Sequence, residues 1–339
     1  MTRAPWLPAV VGALCMLVVP SLGPAAPSTS SPAVPAPPAE LTVDALSVVK
    51  LRSKSVSGAR SAATLGTQRE GTGVVVDGKG LVLTIGYLIL EAESIELSTA
   101  AGQSVPASVV AYDAETGFGL VRALGPLPIT PIAFGESASV AIRDRVLIVG
   151  FDGVAPAYVV SRRPFVAYWE YLLPDAIYTA PATVNWQGAA LLDRQQRLVG
   201  IGYLAVPDAI AAERAVPGNL FVPIDRLKPI LADLVARGRS STPPRPWLGV
   251  YTREVEGNVI VTRVADDGPA DRAPVRPGDV IVAVEGQTIK GQADFYQRLW
   301  RSGEPGRDLA LDVLREGRIA RVTVKTSDRD RYYRATPTY

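Results

Sequence analysis

Gly71-Thr72-Gly73-Val74-Val75-Val76-Asp77-Gly78-Lys79-Gly80-Leu81-Val82-Leu83-Thr84 sets two apolar, Val- and Leu-rich runs on either side of an Asp-Gly-Lys-Gly turn. Such a stretch reads as two strands, residues 73–76 and 81–84, joined by a tight turn. The same grammar recurs at residues 107–111, 145–149 and 197–202, with Gly, Asp and Pro between the runs. From residue 41 to about 216 this pattern predicts an all-β barrel or sandwich. A break at residues 125–131 divides the strands into two sets, which suggests two barrels.

Downstream the period changes. Ile224, Leu227, Ile230, Leu231 and Leu234 recur at helical spacing, and Gly238 follows as a C-cap, predicting a closing helix of three to four turns. A double-barrel domain over residues 41–239 is therefore expected, followed by a polar, Pro-rich linker at 240–246. A second, smaller domain at 247–327 has a predicted helix around 293–301 and a hairpin-like pair at 308–315 and 318–325. Residues 328–339 form a charged and aromatic tail. At the other end, Arg3, the apolar run 6–19 and small residues at Gly23, Ala25 and Ala26 read as a signal peptide over residues 1–26. Residues 27–40, rich in Pro, Ala and Ser, read as an extended linker.

Composition bounds the chemistry. The 339 residues are 47% hydrophobic, enough for more than one core. With 35 basic against 33 acidic residues, a net charge of +2 offers no polyanion-binding surface, so no nucleic-acid partner is expected. The chain contains no histidine, which removes the imidazole base and the His metal ligand. No metal and no cofactor are expected. Cys15 is the only cysteine and lies inside the apolar leader, so the exported protein would carry no disulfide. This composition suits a periplasm, with membrane attachment only if the leader stays uncleaved.

Gly71 to Asp77, Gly80 and Leu83-Thr84 are joined by Ala111-Tyr112-Asp113, Gly135-Glu136-Ser137, Val149-Gly150, the stretch 188–202 and Phe221-Val222-Pro223-Ile224. In this combination and order the chain resembles the HtrA/Deg family of exported trypsin-like serine proteases. Its second domain resembles the family's PDZ module in Trp247-Leu248-Gly249-Val250, Gly268-Pro269-Ala270 and Arg276-Pro277-Gly278-Asp279-Val280-Ile281. The resemblance covers nearly all of residues 42–326. It implies a mainly β protein: a trypsin-like double β-barrel followed by one PDZ domain.

The family's chemistry uses a serine nucleophile, a histidine base and an orienting aspartate. By motif spacing these positions hold Trp186, Tyr87 and Gly117, so the expectation is a degenerate triad and a chain that is not an enzyme. Tyrosine is a poor base at neutral pH, glycine has no side chain, and indole offers only an N–H donor. A lysine base would be the usual alternative. By the family pattern, none of Lys50, Lys54, Lys79, Lys228, Lys290 and Lys325 is expected beside the nucleophile position.

Two readings remain open for Tyr87, Trp186 and the aromatic run Phe165, Tyr168, Trp169 and Tyr171. They pack against one another, or they rebuild the cleft as an apolar binding surface.

The PDZ resemblance implies binding of extended or C-terminal peptides. Backbone N–H groups near Trp247, Leu248 and Gly249 would hold the carboxylate, the peptide would add as a strand beside the segment from Val250 on, and Phe295 and Leu299 would be the groove's other wall or PDZ core. The implied function is a non-catalytic pseudoprotease of the bacterial envelope, an adaptor, holdase or regulator for unfolded exported proteins. The alternative is an active serine endopeptidase of envelope protein quality control. Association with further copies or with active relatives is also implied.

Overall fold

The computed structural model describes residues 46–211 and 214–333. The leader, the linker at 27–40 and the last residues of the tail lie outside the described residues. The first barrel is built from β1 (Val48–Ser55), β2 (Gln68–Val75), β3 (Leu81–Ile85), β4 (Ala92–Ser98), β5 (Ser104–Tyr112) and β6 (Phe118–Ala123), with the short helix α1 (Ala62–Leu65) between β1 and β2. It closes in the order β1-β2-β3-β6-β5-β4. The second uses β7 (Arg145–Gly150), β8 (Gly153–Ala167), β9 (Tyr171–Ala180), β10 (Ala190–Leu192), β11 (Leu198–Val206) and β12 (Gly218–Pro223), closing as β10-β11-β12-β9-β8-β7.

The opening hairpin pairs Val74 with Leu83 and Val75 with Val82. Its turn is held by Asp77, whose Oδ1 accepts the N–H groups of Lys79 and Leu81, both at 2.8 Å. This is the local bonding that favours Asp at the start of turns. Gly73 is required by packing, because a Cβ there would lie 2.5 Å from Val82 Cγ1. Leu51, Val74, Leu83, Phe118 and Leu120 fill the first barrel; Ile148, Val159, Ile177, Leu191 and Phe221 fill the second.

The closing helix is shorter than its periodicity predicts. A 3-10 turn over Ile224–Arg226 precedes α2 (Leu231–Arg237). Pro229 separates them: it has no N–H to donate, and it disfavours helical geometry at Lys228. Gly238 caps α2 in the left-handed region, its N–H donating to Leu234 O.

The C-terminal domain contains β13 (Pro246–Trp247), β14 (Val250–Val255), β15 (Asn258–Val264), helix α3 (Pro269–Arg272), β16 (Val280–Val284), β17 (Gln287–Thr288), helix α4 (Gln292–Arg301), β18 (Asp308–Arg315), β19 (Arg318–Lys325), β20 (Ser327–Asp328) and helix α5 (Arg329–Tyr332). Its sheet runs β14-β15-β16-β18-β19, with β17 on β16, so β14 is an edge strand. Strand β20 pairs with β13, and Tyr332 packs on Trp247 with ring centroids 4.6 Å apart. The start of the tail is therefore folded back onto the domain. The whole is mainly β: a trypsin-like double barrel followed by one PDZ domain.

Candidate functional site

Tyr87 sits in the 3-10 turn Gly86–Leu88 directly after β3. Gly117 lies in the β5–β6 turn at φ 85°, and its carbonyl accepts the N–H of Gly86 at 2.7 Å. Trp186 lies in the loop before β10. Gly71 ties that loop to the Tyr87 turn, because a Cβ on it would lie 2.6 Å from Leu88 Cδ1 and 2.8 Å from Gln187 O. The three positions read from the sequence thus converge where the barrels meet.

Their surroundings define what this region offers chemically. The Tyr87 hydroxyl donates to Tyr203 O at 3.0 Å, and the two rings stack with centroids 6.0 Å apart. Tyr171 Oη donates to Thr116 O at 2.8 Å and lies 3.4 Å from where a Gly117 Cβ would be. Burial raises the Tyr87 and Tyr171 phenols well above their usual range, with Tyr203 adding to both. They are neutral donors at neutral pH and not bases.

The loop around Trp186 is bound tightly to the barrels. Gln187 O accepts Thr72 N–H at 2.8 Å, and Gly188 N–H donates to Gly202 O at 3.0 Å. Lys50, opposite Thr72 on β1, pairs with Glu70 at 2.7 Å and Asp152 at 3.4 Å. The hydrogen bond to Glu70 is the main cause of its raised pKa.

The aromatic run packs mainly on itself. Tyr203 meets Phe165, Trp169 and Tyr171 with centroids 5.2–6.4 Å apart across the cluster. Tyr203 comes from β11, and Phe165, Trp169 and Tyr171 come from the end of β8, its turn and the start of β9. That hairpin projects from the second barrel to the C-terminal domain.

There its tip, residues 168–170, lies along the edge strand β14. Thr252 N–H donates to Tyr168 O at 2.8 Å. From α4, Gln292 Nε2 and Tyr296 Oη donate to Ala167 O at 3.2 and 2.8 Å. The Glu170 carboxylate gathers three backbone N–H groups of the loop before β14. Its Oε1 accepts Gly249 N–H at 2.7 Å and Val250 N–H at 2.8 Å, and its Oε2 accepts Leu248 N–H at 3.0 Å. Glu170 is only 4% exposed, and burial pushes its carboxyl up to about 7 despite those three donors and the nearby Arg329.

Beside it is a cavity of about 290 Å³ lined by Glu115, Glu170, Arg245, Trp300, Arg329 and Asp330, among others. Trp247, Leu248 and Val250 are buried at the loop, with Gly249 at φ 81°. Phe295 and Leu299 are fully buried in the core with Val261, Leu311 and Val313. On α4 the polar groups meeting the hairpin are Gln292 and Tyr296. Neither they, Thr252 nor Glu170 was singled out from the sequence. The available hint was one acid inside the aromatic stretch Tyr168-Trp169-Glu170-Tyr171.

Among the described residues no group of three acidic, His or Cys side chains is placed to hold a metal ion, and no helix is long and apolar enough to cross a membrane.

Two closed barrels joined to a smaller domain, whose loop and edge strand hold the turn of residues 168–170, define a trypsin-fold protein with a PDZ-like module. The trypsin-like peptidase domain family matches residues 71–201, and the PDZ domain family matches residues 246–326. The serine protease PepD of Mycobacterium tuberculosis is 30% identical over 86% of this chain and 67% of its own length. A protein of Ectopseudomonas mendocina named as a DegP-like periplasmic serine endoprotease is 25% identical over 77% of this chain and 58% of its own length. The chain thus spans between about half and 70% of the curated relatives it matches. The solved HtrA-type protease AlgW with decapeptide matches the fold at a TM-score of 0.51 and 21% identity, over 84% of this chain and 96% of that one. This chain belongs to the HtrA/DegP family of trypsin-like serine proteases with a PDZ domain.

These comparisons correct the expectation that the chain is not an enzyme. The relatives are named serine proteases and endoproteases, so the comparisons point to a protease. The expectation rested on motif spacing across loops, the segments whose lengths vary most between relatives. The likeness to the relatives runs through both barrels and the PDZ domain.

Proposed function

We propose that this chain engages extended segments of unfolded exported proteins through its PDZ domain and works in envelope proteolysis. The carrying observation is the convergence of the Leu248, Gly249 and Val250 N–H groups on one carboxylate, beside the Thr252 N–H of an edge strand. An anion nest followed by an edge strand takes a peptide by β-augmentation, with its terminal carboxylate in the nest. The names of the relatives support the proteolytic setting and the envelope location. Assembly with further copies or with active relatives belongs to the same proposal and rests on the resemblance.

With no histidine in the chain, hydrolysis here would have to draw its base from a group other than imidazole. Tyr87, Gly117 and Trp186 are proposed as the positions matching the family's triad. The test is to incubate the purified chain with unfolded casein and with a fluorophosphonate probe. Cleavage with labelling places the chemistry in this chain, and mass spectrometry of the labelled peptide names the nucleophile. Intact casein and an unlabelled protein that still binds peptides would remove hydrolysis from the proposal and leave substrate capture.

A further inference from the structure

The β8–β9 hairpin is held at the PDZ domain in the manner of a ligand. Its residues 168–170 run opposite to β14: Tyr168 O meets Thr252 N–H, and Glu170, two residues later, meets the N–H groups of Leu248, Gly249 and Val250. That order runs antiparallel to β14 and ends in a carboxylate, so the turn 168–170, with Glu170 at φ 54°, imitates the polar contacts of a peptide added to a sheet edge.

The α4 side of the groove is engaged too. Tyr296 Oη lies within hydrogen-bond distance of Ala167 O, Glu170 N, Thr252 Oγ1 and Gln292 Nε2. Tyr251 and Tyr168 are in ring contact at 6.1 Å. A buried carboxylate with three N–H donors has strong, directional bonding, and these donors cannot bind a second carboxylate while Glu170 stays.

We propose that the PDZ groove carries a built-in ligand, the tip of the β8–β9 hairpin with the Glu170 carboxyl group as its end, and that a peptide with a free C-terminal carboxylate binds by displacing it. This rests on the peptide-binding reading above. It adds that the groove is closed in cis, that the closing group is a side-chain carboxylate, and that the competing ligand class is carboxylate-terminated, extended and aromatic-tolerant.

The test uses the full chain, Glu170→Ala and the near-isosteric Glu170→Gln. The probe is a fluorescein-labelled peptide, Phe-Val-Ala-Tyr-Trp-Val with a free carboxylate, alongside its C-terminally amidated twin. Hydrogen exchange without peptide reads the cis contact. Slow exchange at Leu248, Gly249, Val250 and Thr252 in the wild type, becoming at least about tenfold faster in Glu170→Ala, is the expected result. Fluorescence anisotropy then reads the competition, with Glu170→Ala binding the free-carboxylate peptide at least about tenfold more tightly than wild type and the amidated twin binding weakly to both.

Glu170→Gln, which keeps the packing and loses the charge, should fall between them and guards against misfolding of the alanine variant. Unchanged exchange in both variants, or equal peptide affinity in all three proteins, overturns the built-in ligand. Faster exchange in the variants with no binding of the peptide to any protein keeps the cis contact and sinks instead the reading of the groove as a peptide site.

Discussion

At the scale of single residues, two buried charged groups carry much of the site's organisation. Arg69 is 7% exposed and donates to the carbonyls of Gly66, Tyr87 and Leu90 and to Ser61 Oγ. It thereby braces the turn that holds Tyr87. Arg69→Ala leaves these buried acceptors without a partner, and urea unfolding should show a loss of about 2–4 kcal/mol.

Glu170 supplies a pH dependence. Its carboxyl is raised from 4.5 to about 7 when docked, so docking is favoured by protonation. The contribution is fully present below about 4.5 and is lost as the pH rises through about 7. The groups facing it are the Arg329 guanidinium on α5, the Tyr296 hydroxyl on α4 and the N–H groups of the loop before β14. Between pH 5 and 8 the melting temperature of the wild type should fall relative to that of Glu170→Gln, and parallel curves would contradict the assignment.

At the scale of elements, the loop of residues 181–189 is fixed by close backbone approach. A Cβ on Gly202 would lie 1.8 Å from Trp186 O, so Gly202→Ala must push the loop away from β11. A loss of at least about 2 kcal/mol, with changed Trp186 fluorescence, is expected. Tyr296→Phe removes the hydroxyl shared by α4, β14 and the hairpin, and should cost about 1–3 kcal/mol while speeding exchange at Thr252.

Elements were also the level most legible in the sequence. The hairpin around Asp77 and the pair β18 and β19 follow directly from apolar runs and turn chemistry, because those are local causes. The closing helix was overextended because Pro229 interrupts a periodicity that continues across it. The Glu170 contact was not legible at all. It joins residues about eighty positions apart, and nothing local to Tyr168-Trp169-Glu170 specifies a partner loop at Leu248-Gly249-Val250.

At the scale of the molecule, the barrels and the PDZ domain are joined at several points besides the hairpin. Arg245 pairs with Glu115 and lies 4.3 Å from the Trp300 ring centre. Arg60 of the first barrel donates to Tyr332 O at 3.1 Å and lies over the Tyr332 ring, which itself packs on Trp247. Domains with only a polar contact are expected to move independently, whereas these share buried groups. Calorimetry of the wild type should therefore show one transition. Glu170→Ala, which removes three of the buried hydrogen bonds between the two, should separate it into a barrel transition and a PDZ transition.

A ligand carried on a three-residue turn of a rigid barrel is never diluted. Short tethers commonly present a bound group at millimolar effective concentration. A free peptide whose intrinsic dissociation constant is micromolar then meets a competitor that is always present, and its apparent affinity falls by the factor that the tethered group imposes. The groove becomes a threshold device. Under the displacement proposed above, scarce chain ends leave it shut, and it opens when free carboxyl termini accumulate.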